Sequence, residues 1–267
     1  MRVYLSLLKL RIYHGLQYRV AALAGIATQF FWGTIMIMVF LAFYGESTSV
    51  GGFTTTQLVT YIWLQQAFLS FIVLWLRDME LFELIRTGNI AYELCRPLNI
   101  YGFWYTKLIA TRIANAMLRC MPILVVSMFI PEKYRMSMPD STESFMLFLI
   151  TLMLGLAINV AISMFIYISV FVTLSPMGSL LIFSVIGEFF AGLIIPIPLM
   201  PEWLRNIVMV LPFRYVGDLP FRVYSGNIPL GEAFLGIAIQ LVWLTVLILF
   251  GKKLMQSALK HLVVQGG

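Results

Sequence analysis

Long runs of apolar residues constrain this chain more than any other feature of its sequence. Such runs fill six segments, residues 20–44, 55–76, 100–130, 144–172, 179–195 and 231–250. A helix that crosses the hydrocarbon core of a bilayer needs roughly 17–25 of these residues. Because the chain is 61% hydrophobic and only 11% charged, a soluble fold could not bury its apolar surface. The sequence predicts an all-α polytopic membrane protein with about six transmembrane helices.

The basic residues are distributed unevenly among the connections between these spans. Of the 18 Lys and Arg residues, twelve lie on the side of the two termini, five lie on the other side, and Arg119 lies within a span. Short connections rich in Lys and Arg stay in the cytosol. We therefore predict that both termini and residues 77–99 are cytosolic, and that residues 45–54, 131–143 and 196–230 are external. The net charge of +6 follows from this placement and implies no nucleic acid partner.

Residues 1–19 have the pattern of an amphipathic helix that lies in the membrane interface. Basic and polar residues gather beside an apolar stripe, formed by Leu5, Leu8, Ile12 and Leu16. The alternative is a plain cytosolic extension of the first span. The basic residues are too widely spread for a cleaved signal peptide.

The predicted cytosolic loop at residues 77–99 contains a short helical pattern. Leu81, Leu84 and Ile85 form an apolar patch between charged residues. Such a helix beside the membrane suits docking on a partner protein, although it could also rest on lipid headgroups. The candidate residues for coupling to a partner are Leu81, Glu83, Leu84, Ile85, Arg86, Gly88, Tyr92 and Glu93.

The external segment at residues 196–230 is interrupted by six prolines, which exclude one continuous helix. Residues 203–211 are nevertheless apolar enough to enter a membrane. Short helices that enter from outside and return would satisfy both facts, provided that protein or a water-filled cavity covers their backbone. The segment is therefore a candidate outer gate, with Pro196, Pro201, Trp203, Pro212 and Phe213 as its residues. An aromatic belt at headgroup level is the alternative.

Several polar residues fall near the middle of the predicted spans, namely Gln65, Gln66, Asn115, Arg119, Asn159, Glu188 and Gln240. Counted along the helices, Arg119 and Glu188 lie at similar depths, about 17 Å and 12 Å from the external ends. An isolated charge at such a depth costs at least about 2.5–3.5 kcal/mol, so we predict that these two residues pair. The pair either lines a substrate route or fixes two helices together.

No motif for ATP binding or metal binding is found in the chain. There is no G-x-x-x-x-G-K-[ST] phosphate loop and no H-E-x-x-H motif, and the two histidines, His14 and His261, lie near the ends. We predict no catalytic residue and no metal site. Cys95 and Cys120 are predicted in different surroundings and imply no disulfide framework.

Two stretches carry a resemblance to a known family. One is Ile85-Arg86-Thr87-Gly88-Asn89-Ile90-Ala91-Tyr92-Glu93-Leu94-Cys95-Arg96-Pro97-Leu98. The other is Ala191-Gly192-Leu193-Ile194-Ile195-Pro196, followed by Met200-Pro201 and Leu211-Pro212-Phe213-Arg214-Tyr215. With the order of the spans, they resemble the permease subunits of ABC-2 type transporters, in particular a bacterial branch. Glu188 departs from this family, in which the position is usually apolar.

The resemblance implies a multi-pass protein of the bacterial cytoplasmic membrane, in contact with lipid. Residues 77–99 would hold the coupling helix that docks on a separate ABC ATPase, which binds the ATP and Mg; this chain would bind no cofactor. A second permease, identical or paralogous, would complete the membrane part. The assembly would export a hydrophobic or amphipathic drug, peptide or lipid. The alternative is a membrane anchor or sensor that recruits a cytosolic partner without transport.

Overall fold

The computed structural model describes residues 2–17, 19–45, 47, 49–95 and 97–260. Its helices and strands follow one another as α1 (Arg2–Leu16), α2 (Arg19–Tyr44), β1 (Ser49–Val50), β2 (Phe53–Thr54), α3 (Thr55–Ala67), α4 (Leu69–Ile72), α5 (Met79–Arg86), α6 (Ile90–Leu94), α7 (Ile100–Phe129), α8 (Thr142–Thr173), α9 (Pro176–Phe190), α10 (Glu202–Val210), α11 (Asp218–Tyr224) and α12 (Leu230–Lys260). Short 3-10 turns lie at Glu132–Tyr134, Ile197–Leu199 and Pro212–Tyr215. Arg96 of the first motif, and residues 261–267 of the basic tail with His261, lie outside the described residues.

Within the described part of the chain, four helices are long and apolar enough to cross a membrane. They are Ala22–Tyr44 within α2, and Ile100–Phe129, Thr142–Thr173 and Leu230–Lys260. These helices coincide with the first, third, fourth and sixth predicted spans, and the all-α polytopic class is confirmed. The fifth span corresponds to α9, whose 15 residues extend about 22 Å, less than the roughly 30 Å hydrocarbon core. The count of six spans stays a prediction.

The second predicted span, residues 55–76, is not one continuous helix, which corrects the sequence analysis. A capping box between Thr54 and Gln57 starts α3, but the chain leaves helical geometry at Phe68, and only one further turn, α4, follows. From Val73 to Asp78 the backbone is not helical. Irregular backbone at membrane depth must be covered by protein, and residues 70–74, where α4 ends and the irregular backbone begins, are buried.

The central helix of the fold is α8, which packs against α5, α7, α9, α11 and α12. In its most apolar 18-residue window 61% of the residues are buried, against 17% for α12. Gly155 lets α8 approach the outer segment, because a Cβ there would clash with the backbone oxygen of Val216. Polar side chains of α8, such as Asn159 and Tyr167, bond to the end of α4 and to the residue that precedes α5.

Connections that were predicted on the same side of the membrane meet at the same end of the molecule. At one end, here called the α1 end, α1 packs on the start of α7, and Tyr101 lies against Gly251 of α12. The other end is here called the hairpin end, because the antiparallel pair β1–β2 lies there. At this end Asn227 donates to the Gly52 carbonyl (2.7 Å), and Trp63 donates to the Tyr134 carbonyl (2.8 Å). The grouping agrees with the predicted topology; which end faces the cytosol stays a prediction.

The proline-rich segment forms short helices, as its sequence predicts. Pro201 precedes α10, Pro212 opens a 3-10 turn, and α11 completes the segment. The hydroxyl of Ser144, at the start of α8, donates to the Val223 carbonyl (2.6 Å) and fixes α11 to the central helix.

Candidate functional site

A helix forms where the sequence predicts one, as α5, but it turns its apolar side inward, and its coupling role stays a prediction. Leu81 and Ile85 are buried, and the ring of Phe82 lies 4.7 Å from that of Tyr167 on α8. Leu84 is half-buried, whereas Glu83 and Arg86 are exposed and pair at 3.1 Å. The prediction of an apolar docking patch is therefore wrong for Leu81 and Ile85, because this chain already covers them.

A set of charged residues, here called the Lys107 cluster, anchors the start of α5 and consists of Arg11, Asp78, Glu80 and Lys107. The ammonium of Lys107, 2% exposed, lies 3.1 Å from Asp78 and 2.7 Å from Glu80. Glu80 also accepts a hydrogen bond from Arg11 of α1 (2.7 Å). The bonds from Lys107 and then Arg11 lower the pKa of Glu80 to about 2. The cluster joins α1, α5 and α7.

Asp78 gives this cluster a fixed position relative to α8. Its carboxylate caps α5 by accepting from the backbone amides of Glu80 (3.0 Å) and Leu81 (3.3 Å). Its own backbone amide donates to the hydroxyl of Tyr167 (2.8 Å). An Asp at the N-cap satisfies amides that the helix leaves unpaired. Asp78 therefore connects α5 to α8 through Tyr167 and to α7 through Lys107.

The remaining predicted coupling residues lie between α5 and α7. Gly88 adopts φ 75°, a left-handed conformation that favours glycine, and separates α5 from α6. Tyr92 is 75% exposed, which leaves its ring available for contact with a partner. Glu93 instead points to this chain, where its carboxylate accepts from the indole of Trp104 (2.6 Å). Glu93 therefore holds α6 to α7.

An apolar groove of about 930 Å³ opens beside α5, between α8, α9 and α12. Phe165, Phe183 and Leu247 belong to its walls, and Ile85 and Arg86 stand at its α5 side. A groove of this size and lining accommodates a hydrocarbon chain. No predicted mid-membrane polar residue lines it.

Polar side chains from α7 and α8 bond the backbone where α4 ends. The guanidinium of Arg112 donates to the carbonyls of Ser70 (2.8 Å) and Val73 (2.6 Å). Asn159 donates to the carbonyl of Phe71 (2.7 Å). A helix end has carbonyls without intrahelical partners, and these bonds satisfy them inside the protein. Asn159 thus stabilises the end of α4. Arg112 does the same, although the sequence analysis counted it only among the basic residues on the side of the termini.

The predicted pair of Arg119 and Glu188 does not form. Among the described residues neither side chain makes an ion pair, and Arg119 Nε and Glu188 Oε1 are buried without hydrogen-bond partners. Arg119 lies on the side of α7 that meets Gly25 of α2, whereas the neighbour of Glu188, Gly187, faces Leu74 and Phe213. Equal depth did not bring them together because the two helices present these residues to different neighbours.

The other mid-membrane polar residues are dispersed rather than joined in one network. Gln65 donates to the Gly192 carbonyl (2.8 Å), and Asn115 donates to Thr111 of its own helix (2.9 Å). Gln66 lies against Gly33 of α2 with a buried, unpartnered Oε1. Gln240 of α12 donates to the carbonyls of Thr151 and Tyr215, both at 2.8 Å. These bonds tie helices to one another, and they do not outline a single polar channel.

In the outer segment the predicted gate residues divide between the surface and the interior. Pro201 is exposed and Trp203 is 67% exposed, while Pro196 and Pro212 are buried and Phe213 is half-buried. Their position at the hairpin end agrees with both predicted roles, an outer gate and an aromatic belt. Neither role is tested by this burial.

A second set of charged residues, here called the Asp218 cluster, lies beneath these gate residues and consists of Tyr61, Arg214, Asp218 and Arg222. The carboxylate of Asp218, 0% exposed, lies 3.5 Å from Arg214 and 3.6 Å from Arg222. It also accepts from the hydroxyl of Tyr61 on α3 (3.2 Å). Sequence analysis missed Asp218, although the spacing Arg-x-x-x-Asp-x-x-x-Arg predicts neighbours one helical turn apart.

Comparison with known proteins agrees with this architecture. Residues 30–266 match the family model described as ABC-2 family transporter protein. A comparison with curated proteins found no match. The matched region begins within α2 and includes α5, the broken helix α3–α4 and the whole outer segment, while α1 precedes it.

Proposed function

The chain belongs to the ABC-2 transporter family, and we propose that it is a membrane subunit of an exporter. As a permease of this family, it is an integral membrane protein that associates with an ABC ATPase. Its cargo is hydrophobic or amphipathic and leaves from the cytosol or the inner leaflet. ATP and Mg are bound by the partner ATPase, and this chain needs no cofactor. A second permease, identical or paralogous, completes the pathway.

The position of α5 carries this proposal. The helix buries one side on α8, is tied through the Lys107 cluster to α1 and α7, and leaves Glu83, Arg86 and, beyond it, Tyr92 exposed. A short helix that is fixed to the membrane helices on one side and exposed on the other can transmit a movement of a docked ATPase to those membrane helices. The docking surface is therefore the charged side of α5 with Tyr92, rather than the apolar side.

The groove beside α5 supports the cargo class. It lies next to Arg86, so a movement of α5 reshapes one of its walls, and its lining is mainly apolar. Suppose that one nucleotide state of the ATPase binds one position of α5 more tightly than another. That state then favours the shape of the groove that goes with this position of α5.

An exchange of charges on α5 tests the docking. The double variant Glu83→Lys with Arg86→Glu keeps the internal ion pair but reverses the charges presented to the partner. We expect wild-type yield and thermal stability, with loss of the ATPase that co-purifies with the wild-type chain. Arg135→Glu, at an exposed position of the opposite end, is the matched control. Unchanged co-purification by the double variant and by Tyr92→Ala would contradict docking at this surface.

A turnover measurement separates transport from simple recruitment. ATPase activity of the reconstituted complex should rise with an amphipathic compound and return to its basal rate when the groove is narrowed by Leu247→Trp. A complex that assembles but shows no such stimulation with any amphipathic compound would instead favour the anchor or sensor.

A further inference from the structure

Arg119 is a charged residue that makes no ion pair with the described residues. Its guanidinium lies against α2, where a Cβ placed on Gly25 would come within 2.6 Å of Arg119 Cζ. Its Nε is buried and has no hydrogen-bond partner among the described residues. Gln29, one turn further along the same side of α2, is 6% exposed and has an equally unpartnered Oε1. Such groups are costly to bury unless another molecule supplies partners.

Counted along α2, the guanidinium lies near the start of a candidate span. Gly25 follows the start of the candidate span, Ala22, by three residues, which is about 4.5 Å along the helix. Side chains on a helix point toward its N-terminus, so Arg119 extends toward the α1 end. A candidate span that begins at Ala22 places this guanidinium close to the interface, where long basic side chains find anionic partners.

A polar pocket lies next to Asn115, one turn of α7 nearer to the α1 end than Arg119. The pocket measures about 320 Å³ and is bounded by α1, the start of α5 and α7. Arg11, Arg77 and Asn115 belong to its lining, together with His14, Asp78, Met79, Glu80, Thr111 and Ala114. Asn115 precedes Arg119 by four residues and so lies one turn below it on the same face of α7.

The charges around the pocket do not balance. Its two carboxylates, Asp78 and Glu80, are engaged by Lys107 and Arg11 in the Lys107 cluster. The guanidinium of Arg77 donates to the sulfur of Met177 (3.8 Å), and no carboxylate of the described residues lies within ion-pair distance of Arg77 or Arg119. Two guanidinium charges are therefore left over, and a guanidinium binds phosphate and carboxylate groups in preference to other partners.

We infer that this pocket binds the anionic headgroup, a phosphate or a carboxylate, of an amphipathic molecule in the adjoining leaflet. Arg77 of the lining and Arg119, one turn of α7 beyond Asn115, supply the charge, and the amide of Asn115 supplies a further hydrogen bond. The inference deepens the proposed function, on which it rests for the view that the bound amphiphile is cargo: it names the chemistry of the cargo headgroup.

Binding to the purified full chain tests the site. The chain is placed in nanodiscs of phosphatidylcholine, and dodecyl phosphate is compared with dodecanol, which has the same chain without the charge. We expect dodecyl phosphate, but not dodecanol, to raise the melting temperature. Arg119→Gln should weaken this binding by about tenfold or more, Arg119→Lys should weaken it less, and Arg135→Gln should leave it unchanged. Equal binding of both amphiphiles would overturn the inference.

Stability without ligand separates binding from a structural role. Because Arg119 makes no ion pair with the described residues and its Nε has no hydrogen-bond partner among them, Arg119→Gln should unfold no more easily than the wild type when dodecyl phosphate is absent. A large loss of unliganded stability, or wild-type affinity in both Arg119→Gln and Arg77→Gln, would show that the arginines serve the fold and not a ligand.

The source of the headgroup is resolved by competition. If nanodiscs that contain phosphatidylglycerol abolish the binding of dodecyl phosphate, the site holds a resident anionic lipid. If binding persists and dodecyl phosphate stimulates the ATPase of the complex, the headgroup belongs to cargo. The binding assay contains no ATPase, so a failure of this site leaves the docking of α5 untouched, and a failure of docking leaves the site untouched.

Discussion

The Lys107 cluster and the Asp218 cluster use similar residues at opposite ends of the molecule, but they are built differently. In the Lys107 cluster the partners come from α1, α5 and α7, and Glu80 keeps 59% of its side chain exposed. In the Asp218 cluster two of the partners lie within four residues of Asp218, and the carboxylate is fully buried. Tyr61 of α3 and the ring of Phe53 in β2, 6.0 Å from the Arg222 guanidinium, connect that cluster to distant elements.

The difference in burial sets how easily each cluster can rearrange. A half-exposed ion pair exchanges its partners for water at little cost, so contacts of Glu80 can break and re-form while α5 moves. A carboxylate that is enclosed with two guanidinium groups cannot lose them without leaving charges unpaired. We therefore expect the α1 end to transmit movement and α11 to move as a unit that keeps its ion pairs.

The largest effect is expected from Asp218→Asn. The substitution removes the carboxylate charge and leaves Arg214 and Arg222 without an acidic partner, so the free energy of unfolding should fall by about 3–5 kcal/mol. Unfolding by SDS titration in mixed micelles measures the loss. Asp140→Asn, an exposed carboxylate of the same end, is the control. A loss no larger than that of the control would show that the two clusters do not differ in this way.

A smaller but distinct loss is expected from Lys107→Met. The change leaves Asp78 without its cation, but Asp78 keeps two backbone amides of α5 and Glu80 keeps Arg11 and water, so about 2–3 kcal/mol should be lost. The same titration measures it, with Lys253→Met on the exposed surface of α12 as control. If Lys107→Met proves more damaging than Asp218→Asn, exposure is not what distinguishes the clusters.

The smallest effect concerns pH and Glu80. Because its pKa in the fold, about 2, lies below the ordinary value of 4.5, Glu80 stabilises the fold above pH 4.5, and this contribution is lost as the pH falls toward 2. Its exposure limits the contribution to less than about 1 kcal/mol. Stability measured at pH 3 and pH 6 should differ less in Glu80→Gln than in the wild type, with Glu83→Gln as reference. Identical pH dependence would exclude this role.

Much of the fold could be predicted because it depends on local patterns. The apolar length of α2, α7, α8 and α12, and the prolines that divide residues 196–230, are properties of single segments. The interruption at Phe68 could not be predicted, since residues 55–72 contain neither proline nor glycine. The end of α4 at Ile72 could not be predicted either, because Arg112 and Asn159, from two other helices, bond the carbonyls that this helix end exposes.

The site was predicted less well than the fold. The loop at residues 77–99 was found, but the inward orientation of Leu81 and Ile85 was not, because a helix with one apolar edge fits equally well against its own protein or against a partner. Arg119 was identified as a residue of interest, yet its pairing with Glu188 was wrong. Depth along a helix can be counted from the sequence, whereas the direction in which each helix faces cannot.

The sequence by itself determined that this chain is a membrane protein, where its long helices run, and which family it belongs to, since these follow from hydrophobicity and from local motifs. Only the tertiary structure decided which polar groups meet. Ion pairs such as Lys107 with Glu80, and the isolation of Arg119, arise from the rotation and packing of helices far apart in the chain. Packing of this kind depends on all neighbours at once, and no single segment encodes it.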